Sequence, residues 1–455
     1  MDDIYHKDFV KNPGGRYIVS ILATLGSIPL LLVLQGLYYR RVAPEMLKEP
    51  GKLADLVFIV FPTLFLLTNL SHVVIELAVF MLLCAAVGAL FMTGKHRGHY
   101  ARTTKRNYDI QFKPHLGWFK GLGSLVTCVS ILAVDFSAFP RRSAKTCEFG
   151  ISLMDIGGAF FVVSSGLTSR WARGLAPHMS LLSKQTVIIV GLGVARLAAV
   201  KFFDYQEVAE EYGVHWNFFF TLASVWVLSD IAHAFASCFV VKVWGDIVEI
   251  LVLITLACLP MKVHQELLNE GWLTEFIFNA NREGGFFKQN REGVLSLPMY
   301  CLMFVTAEMM ARGCLWTPAK NCSRRLLLGT VILWAAWFYF DNFQQETSRR
   351  LANISFATLG LALCFSVLSL LLMVERLLNK WGAATCFGRG LAAHASLETF
   401  LFANVLTGLV NSLVDTKHTT DSHALVILAV YCSAVYALSV LKGSNMRNAI
   451  IDEQL

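Results

Sequence analysis

Residues 117–169 read GWFKGLGSLVTCVSILAVDF, then SAFPRRSAKTCEFG, then ISLMDIGGAFFVVSSGLTS. Two apolar runs flank a short segment dense in charge. About 20 apolar residues suffice to cross a hydrocarbon core as a helix, so each run reads as a transmembrane span. The same pattern recurs outward in both directions. Spans are expected at about 17–38, 54–71, 73–94, 117–136, 151–169, 184–201, 215–234, 244–260, 294–311, 326–343, 352–374, 394–414 and 424–441. The expected fold is all-α, a polytopic bundle of about 13 transmembrane helices. It forms a single domain over residues 1–455.

Composition agrees. The 455 residues are 55% hydrophobic and 16% charged, with mean hydropathy +0.55. A soluble domain carries about a quarter charged residues. The net charge of +7 does not point to nucleic acid. Its basic residues sit in short loops, where they act as topology signals facing anionic lipid. Eleven cysteines are scattered singly, without CxxC pairs or zinc spacing, so no metal is expected. The opening MDDIYHKDFVKNPGG is polar and unlike a cleaved leader, so the first apolar run is expected to remain as a helix.

Alternate loops differ in basic content. The set containing Arg40, Arg41, KHRGHYARTTKRNYDIQFK, Arg170, Arg173, Lys184, RGCLWTPAKNCSRR and Arg376–Arg389 holds roughly 24 basic residues against roughly 14 opposite. The richer set belongs in the cytoplasm, so the N-terminus is expected in the lumen and the C-terminus in the cytoplasm. The lumenal set then includes a long loop at about 261–293, and loops 137–150 and 202–214. Of the glycosylation triplets at Asn69, Asn321 and Asn353, only Asn69 falls on that side.

Ionisable groups near a hydrocarbon core are functional candidates by default. Asp135 lies at the end of the fourth span, and Pro140 stops helix continuation. Arg141, Arg142 and Lys145 follow, and Asp155 is expected one turn inside the next span. Asp135 and Lys145 can converge across the short reversal as a carboxylate base held by an ammonium. The arginines can hold phosphate. An internally paired, snorkelling loop is the alternative. His215 and Asn217 open the seventh span, as polar-head contacts or as part of an interfacial aromatic belt. Asn290, Arg291 and Glu292 enter the ninth span, where a plain helix start would also explain them. Arg349, Arg350 and Asn353 enter the eleventh, where an arginine can simply snorkel. Asn404, Thr407 and Asn411 share one face of the twelfth, either lining a polar cavity or joining helices. No Walker A loop, GxSxG elbow, HExxH helix or HxxxxD pair is present.

Together the segments VDFSAFPRRSAKTCEFGISLMDIGGAFF, RLAAVKFFDYQEVAEEYGVHWNFFFTL, NREGVLSLPMY, TSRRLANISF and LFANVLTGLVN resemble the glycosylphosphatidylinositol (GPI) inositol acyltransferases, the family that includes fungal GPI-anchored wall transfer protein. They occur in family order across about residues 130–411. Met299 stands where the family usually has glycine, and Gly157, Gly158 and Ala159 replace a GVGS-like stretch. The resemblance implies a thirteen-helix enzyme of the endoplasmic reticulum. Its reaction would move a fatty acyl chain, expected to be palmitoyl, from acyl-CoA to the inositol of glucosaminyl-phosphatidylinositol. No permanently bound cofactor is implied; acyl-CoA is a co-substrate. The residues thought essential in the family map to Asp135 and Lys145. Asp135 is then the expected general base, and Lys145 orients it or meets the oxyanion; the exchanged assignment, with Lys145 as the base, is the alternative. Direct transfer is expected, with Cys147 and Ser152 as the nucleophiles to test. The rival readings are a transporter of a polar lipid or anion, and an acyltransferase for another alcohol.

Overall fold

The computed structural model describes residues 11–12, 14–41, 54–90, 113–175, 183–202, 209–239, 245–316, 321–381 and 397–452. The basic stretch 95–112, residues 203–208 of the loop at 202–214, and most of the expected loop 376–389 lie outside the described residues.

Every expected span has its helix. They are α1 (Ile18–Arg41), α2 (Leu56–Leu67), α3 (Ser71–Leu90), α4 (Pro114–Ala133), α5 (Ile156–Leu167), α6 (Lys184–Phe202), α7 (Phe218–Ser237), α8 (Gly245–Asn269), α9 (Arg291–Trp316), α10 (Cys322–Phe343), α11 (Ile354–Trp381), α12 (Leu397–Leu413) and α13 (Asp421–Asp452). Among the described residues nine are long and apolar enough to cross a membrane; α2, α5 and α12 are shorter apolar helices, and α6 falls in neither group. Among the described residues there is no strand, only isolated bridges pairing Asn12 with Thr146 and Arg16 with Ile151.

α11 is the hub. It packs against α1, α4, α5, α9 and α10. Phe356, Phe365 and Leu368 on it are fully buried. Lipid tails are as apolar as leucine, so close van der Waals packing rather than water exclusion holds such helices together. Gly166 shows the requirement: a Cβ there would lie 2.6 Å from the Phe304 carbonyl oxygen, so α5 meets α9 backbone to backbone. Outward residues such as Leu82, Leu83, Val331 and Ile332 are exposed, as lipid-facing side chains should be.

Two expectations need correction. The supposed loop at about 261–293 is largely helical. α8 continues through Pro260 to Asn269, and short helices follow at Trp272–Asn279 and Phe286–Gln289 before α9 begins. Asp155 is not inside a helix. α5 starts only at Ile156, because the four donors from Thr146 and Ser152 hold the Asp155 carboxylate in the preceding loop.

Segments 134–155, 209–217, 270–295 and 344–353 stack over one end of the bundle, the capped end. Backbone bonds join them: Gly150 N–H to the Thr347 carbonyl at 2.8 Å, and Val214 N–H to Gln289 at 3.0 Å. The N-terminal segment lies across them, with Asn12 N–H on the Lys145 carbonyl and Cys147 N–H on the Asn12 carbonyl. Gly150 has φ +95°, and a Cβ there would lie 2.6 Å from the Gly15 carbonyl oxygen. Only glycine lets the two segments cross.

Candidate active site

Under the capped end lies a cavity of about 300 Å³ with a lining of mixed character. Leu25, Ile28, Leu122, Val126 and Val367 form its apolar part. Lys145, Asp155, Arg196, Glu211, Tyr212, Tyr300, Arg349 and Asn404 form its polar part. Lys145 extends from the loop after the Arg141–Ser143 turn, and its Nζ donates to both Glu211 carboxylate oxygens at 2.6 and 2.7 Å. Glu211 comes from the short helix Ala209–Tyr212. Its side chain is 24% exposed. Burial alone would raise its pKa, but the charges of Lys145, Arg349 and Arg196 outweigh burial and hold it at about 2. Arg349 donates from Nε to the buried Asp155 carboxylate at 2.9 Å. Burial would lower the Arg349 pKa, but Asp155 and Glu211 carry it above its ordinary value. Burial, with Tyr300 beside it, pushes the Tyr212 phenol up, so it stays protonated.

The remaining sequence candidates divide by role. Asp135 is half-buried beside the cavity, one residue beyond lining Val134, and accepts a 2.9 Å bond from Asn411 Nδ2. Arg141 turns back on its own loop and donates to the carbonyls of Val134, Phe136 and Phe139. Burial lowers its pKa to about 10, partly offset by Asp135, so it remains cationic at neutral pH. Arg142 donates to the Ser71 carbonyl. These arginines are occupied by backbone oxygens at the capped end.

Asn217 caps α7, accepting from Phe219 N–H at 3.1 Å, and its amide donates to Gly193. The His215 N–H donates to the Asn290 side chain at 2.7 Å. Arg291, 2% exposed, donates to the carbonyls of Ile277 and Ala280. Glu292 pairs with Arg282 and lies 3.7 Å from Arg350. Asn353 caps α11, accepting from Ser348 and Phe356 N–H groups. Thr407 donates to the Ala403 carbonyl on its own helix. The structure thus brings Lys145, Asp155 and Asn404 to the cavity wall and leaves the others outside its lining. Arg349, named from the sequence together with Arg350, also lines the cavity, whereas Glu211, Tyr212, Tyr300 and Arg196 are wall residues that the sequence reading did not single out.

A second cavity of about 640 Å³ opens toward the opposite end of the bundle. Lys120, Arg170 and Arg173 line it, with hydroxyls of Ser124, Ser165 and Thr168. Phe160, Phe161, Phe218 and Phe400 belong to the walls of both cavities.

The family described as GWT1 matches residues 3–442. The chain belongs to the GWT1 family. Among its relatives, GPI-anchored wall transfer protein 1 of Kluyveromyces lactis is 33% identical over 70% of each chain. The Yarrowia lipolytica protein of the same name is 31% identical over 72% of each. A bovine protein named glucosaminyl-phosphatidylinositol-acyltransferase PIGW is 28% identical, covering 94% of this chain and 96% of its own. The family match runs through every helix that lines the two cavities.

Proposed function

We propose that this chain is a membrane O-acyltransferase that esterifies the inositol of glucosaminyl-phosphatidylinositol in GPI-anchor biosynthesis, with acyl-CoA as donor. The observation that carries this reading is Lys145, the motif lysine, in the lining of a cavity that also presents Leu25, Ile28, Leu122, Val126 and Val367. An acyl thioester likewise joins an apolar chain to a polar reacting head.

The inositol oxygen attacks the thioester carbonyl. A C–O bond forms, the C–S bond breaks, and the alcohol proton passes through a base to the departing thiolate. In this reading Lys145 donates to the tetrahedral oxyanion. Asp135 takes the alcohol proton, its carboxylate steadied by Asn411. No acyl-enzyme is required. The Ser152 hydroxyl is fully buried and donates to Asp155 at 2.9 Å. Burial raises the Cys147 thiol pKa, with the Lys11 charge opposing, which leaves little thiolate at neutral pH.

The larger cavity supports the donor assignment. Its three cations suit the phosphates of CoA, and its hydroxyls suit pantetheine amides. The four shared phenylalanines then mark where the thioester passes toward Lys145. In this reading the protein resides in the endoplasmic reticulum membrane. The capped end faces the lumen with the N-terminus, and the CoA cavity faces the cytoplasm with the C-terminus.

The test is purified protein in detergent with palmitoyl-CoA and glucosaminyl-phosphatidylinositol, followed by mass spectrometry of the lipid. Wild type should give the inositol-acylated product, while folded Asp135→Ala and Lys145→Ala should not. Product from both variants would move the chemistry elsewhere. Absence of product from folded wild type would overturn the reaction assignment.

A further inference from the structure

The 144–155 loop has no regular secondary structure beyond isolated bridges and turns, so Lys145 needs fixing from outside. Its backbone is fixed on one side by Asp155, which accepts from Thr146 N–H and, at 2.9 Å, from the Thr146 hydroxyl. Its ammonium is fixed by Glu211, from a helix 66 residues further along the chain. Arg349 closes the circuit: it donates to Asp155 at 2.9 Å, and its charge bears on Glu211. Lys145, Glu211, Arg349 and Asp155 alternate in charge, and Thr146, bonded to Asp155, closes the ring as the chain neighbour of Lys145. Among the described residues the Lys145 ammonium bonds to Glu211 alone.

We propose that Glu211 is a positioning residue of the acyl transfer, holding the Lys145 ammonium at the cavity wall as a cation. This rests on the reading that Lys145 meets the oxyanion. Pairing with both Glu211 oxygens uses two of the three ammonium donors and leaves the third for a thioester bound in the cavity that Lys145 lines. Without Glu211, Lys145 would stand near Arg349 and Arg196 with no carboxylate bonded to it. Like charges drive an ammonium toward its neutral amine and away from its neighbours.

Other groups around Lys145 do not replace Glu211. Glu210 is paired with Lys11 of the N-terminal segment. Asp155 is saturated by Arg349, Thr146 and Ser152. Tyr212 and Tyr300 are phenols, neutral at working pH, and the nearby Cys147 thiol is held neutral by burial.

The experiment measures kcat, KM for palmitoyl-CoA and the pH–rate profile of full-length wild type, Glu211→Gln and Glu211→Asp in detergent, with a melting curve for each. Glu211→Gln is expected to lower kcat about 100-fold, the scale of a misplaced catalytic group. KM should change far less, and the alkaline limb of the kcat profile should move to lower pH. Glu211→Asp keeps the charge with a shorter reach, and should restore the alkaline limb to its wild-type position and recover part of kcat. Glu211→Gln with wild-type kcat would overturn the proposal. So would a kcat reduced equally at all pH values with the limb unmoved, since that is the signature of general destabilisation. If folded wild type makes no inositol-acylated lipid, or Lys145→Ala remains active, the underlying functional reading fails instead.

Discussion

Replacing Asp155 with asparagine keeps the shape and removes one charge from the ring. Asp155 is 1% exposed and accepts from Arg349 Nε at 2.9 Å, the Thr146 hydroxyl at 2.9 Å, and the Ser152 N–H and hydroxyl at 2.9 Å each. An amide has one acceptor oxygen where the carboxylate has two, so its NH2 would confront donors. The Arg349 side chain is only 10% exposed and would keep its charge without its partner. Breaking a buried pair by removing one member costs about 3–5 kcal/mol. Much of that loss should fall on the capped end, since Asp155 joins the 144–155 loop to the 344–353 segment. The assay is intrinsic tryptophan fluorescence during heating in detergent, at one scan rate, beside wild type. Asp155→Asn should melt several degrees earlier and show little acyl transfer. Unchanged melting would refute the argument that Asp155 anchors the loop. Unchanged activity with lowered melting would separate the anchor from the chemistry.

Three further outcomes follow from other residues. Glu211 has a folded pKa of about 2 against an ordinary 4.5, so its contribution is full above about pH 4.5 and is lost as pH falls toward 2. That contribution is about 3 kcal/mol. Acid unfolding of wild type across this window should therefore be steeper than that of Glu211→Gln, and equal slopes would count against the ion pair. Cys147→Ala should keep wild-type turnover in the lipid-product assay; its abolition in folded protein would argue for an acyl-enzyme. Asn217→Ala should destabilise α7 by about 1 kcal/mol through loss of its cap, seen as a lower melting point, with KM for the lipid unchanged.

The helices were legible because apolar runs recur along the chain, and because Pro140 and clustered charge punctuate it at 140–148. Lys145 was legible through its motif. Its partner was not: nothing in AEEY says which carboxylate turns inward, and the Lys145–Glu211 contact joins residues 66 apart. Arg349 and its neighbour Arg350 look equivalent in TSRRLANISF, yet one pairs with Asp155 and the other approaches Glu292. Arg141 and Arg142 suggested phosphate sites because a sequence does not display the bare carbonyls of a folded loop. Asn217 had a local signal that points to capping: an asparagine directly before an apolar helical run. The shape of the cavity was not legible at all, since it depends on how α1, α4 and α11 pack.

The charge ring also bears on how the protein is made. Asp155 and Arg349 are 194 residues apart. At ordinary synthesis rates Arg349 follows Asp155 from the ribosome by roughly 10–40 s. During that interval the six helices α5 to α10 are made while Asp155 has no guanidinium beside it. A carboxylate in that condition is tolerable only in water. The loop must therefore wait at the membrane surface and become buried when the 344–353 segment arrives. A nascent chain halted before α11 would carry the motif lysine but no assembled site, so the enzyme cannot begin to act on lipid before most of the bundle is in place.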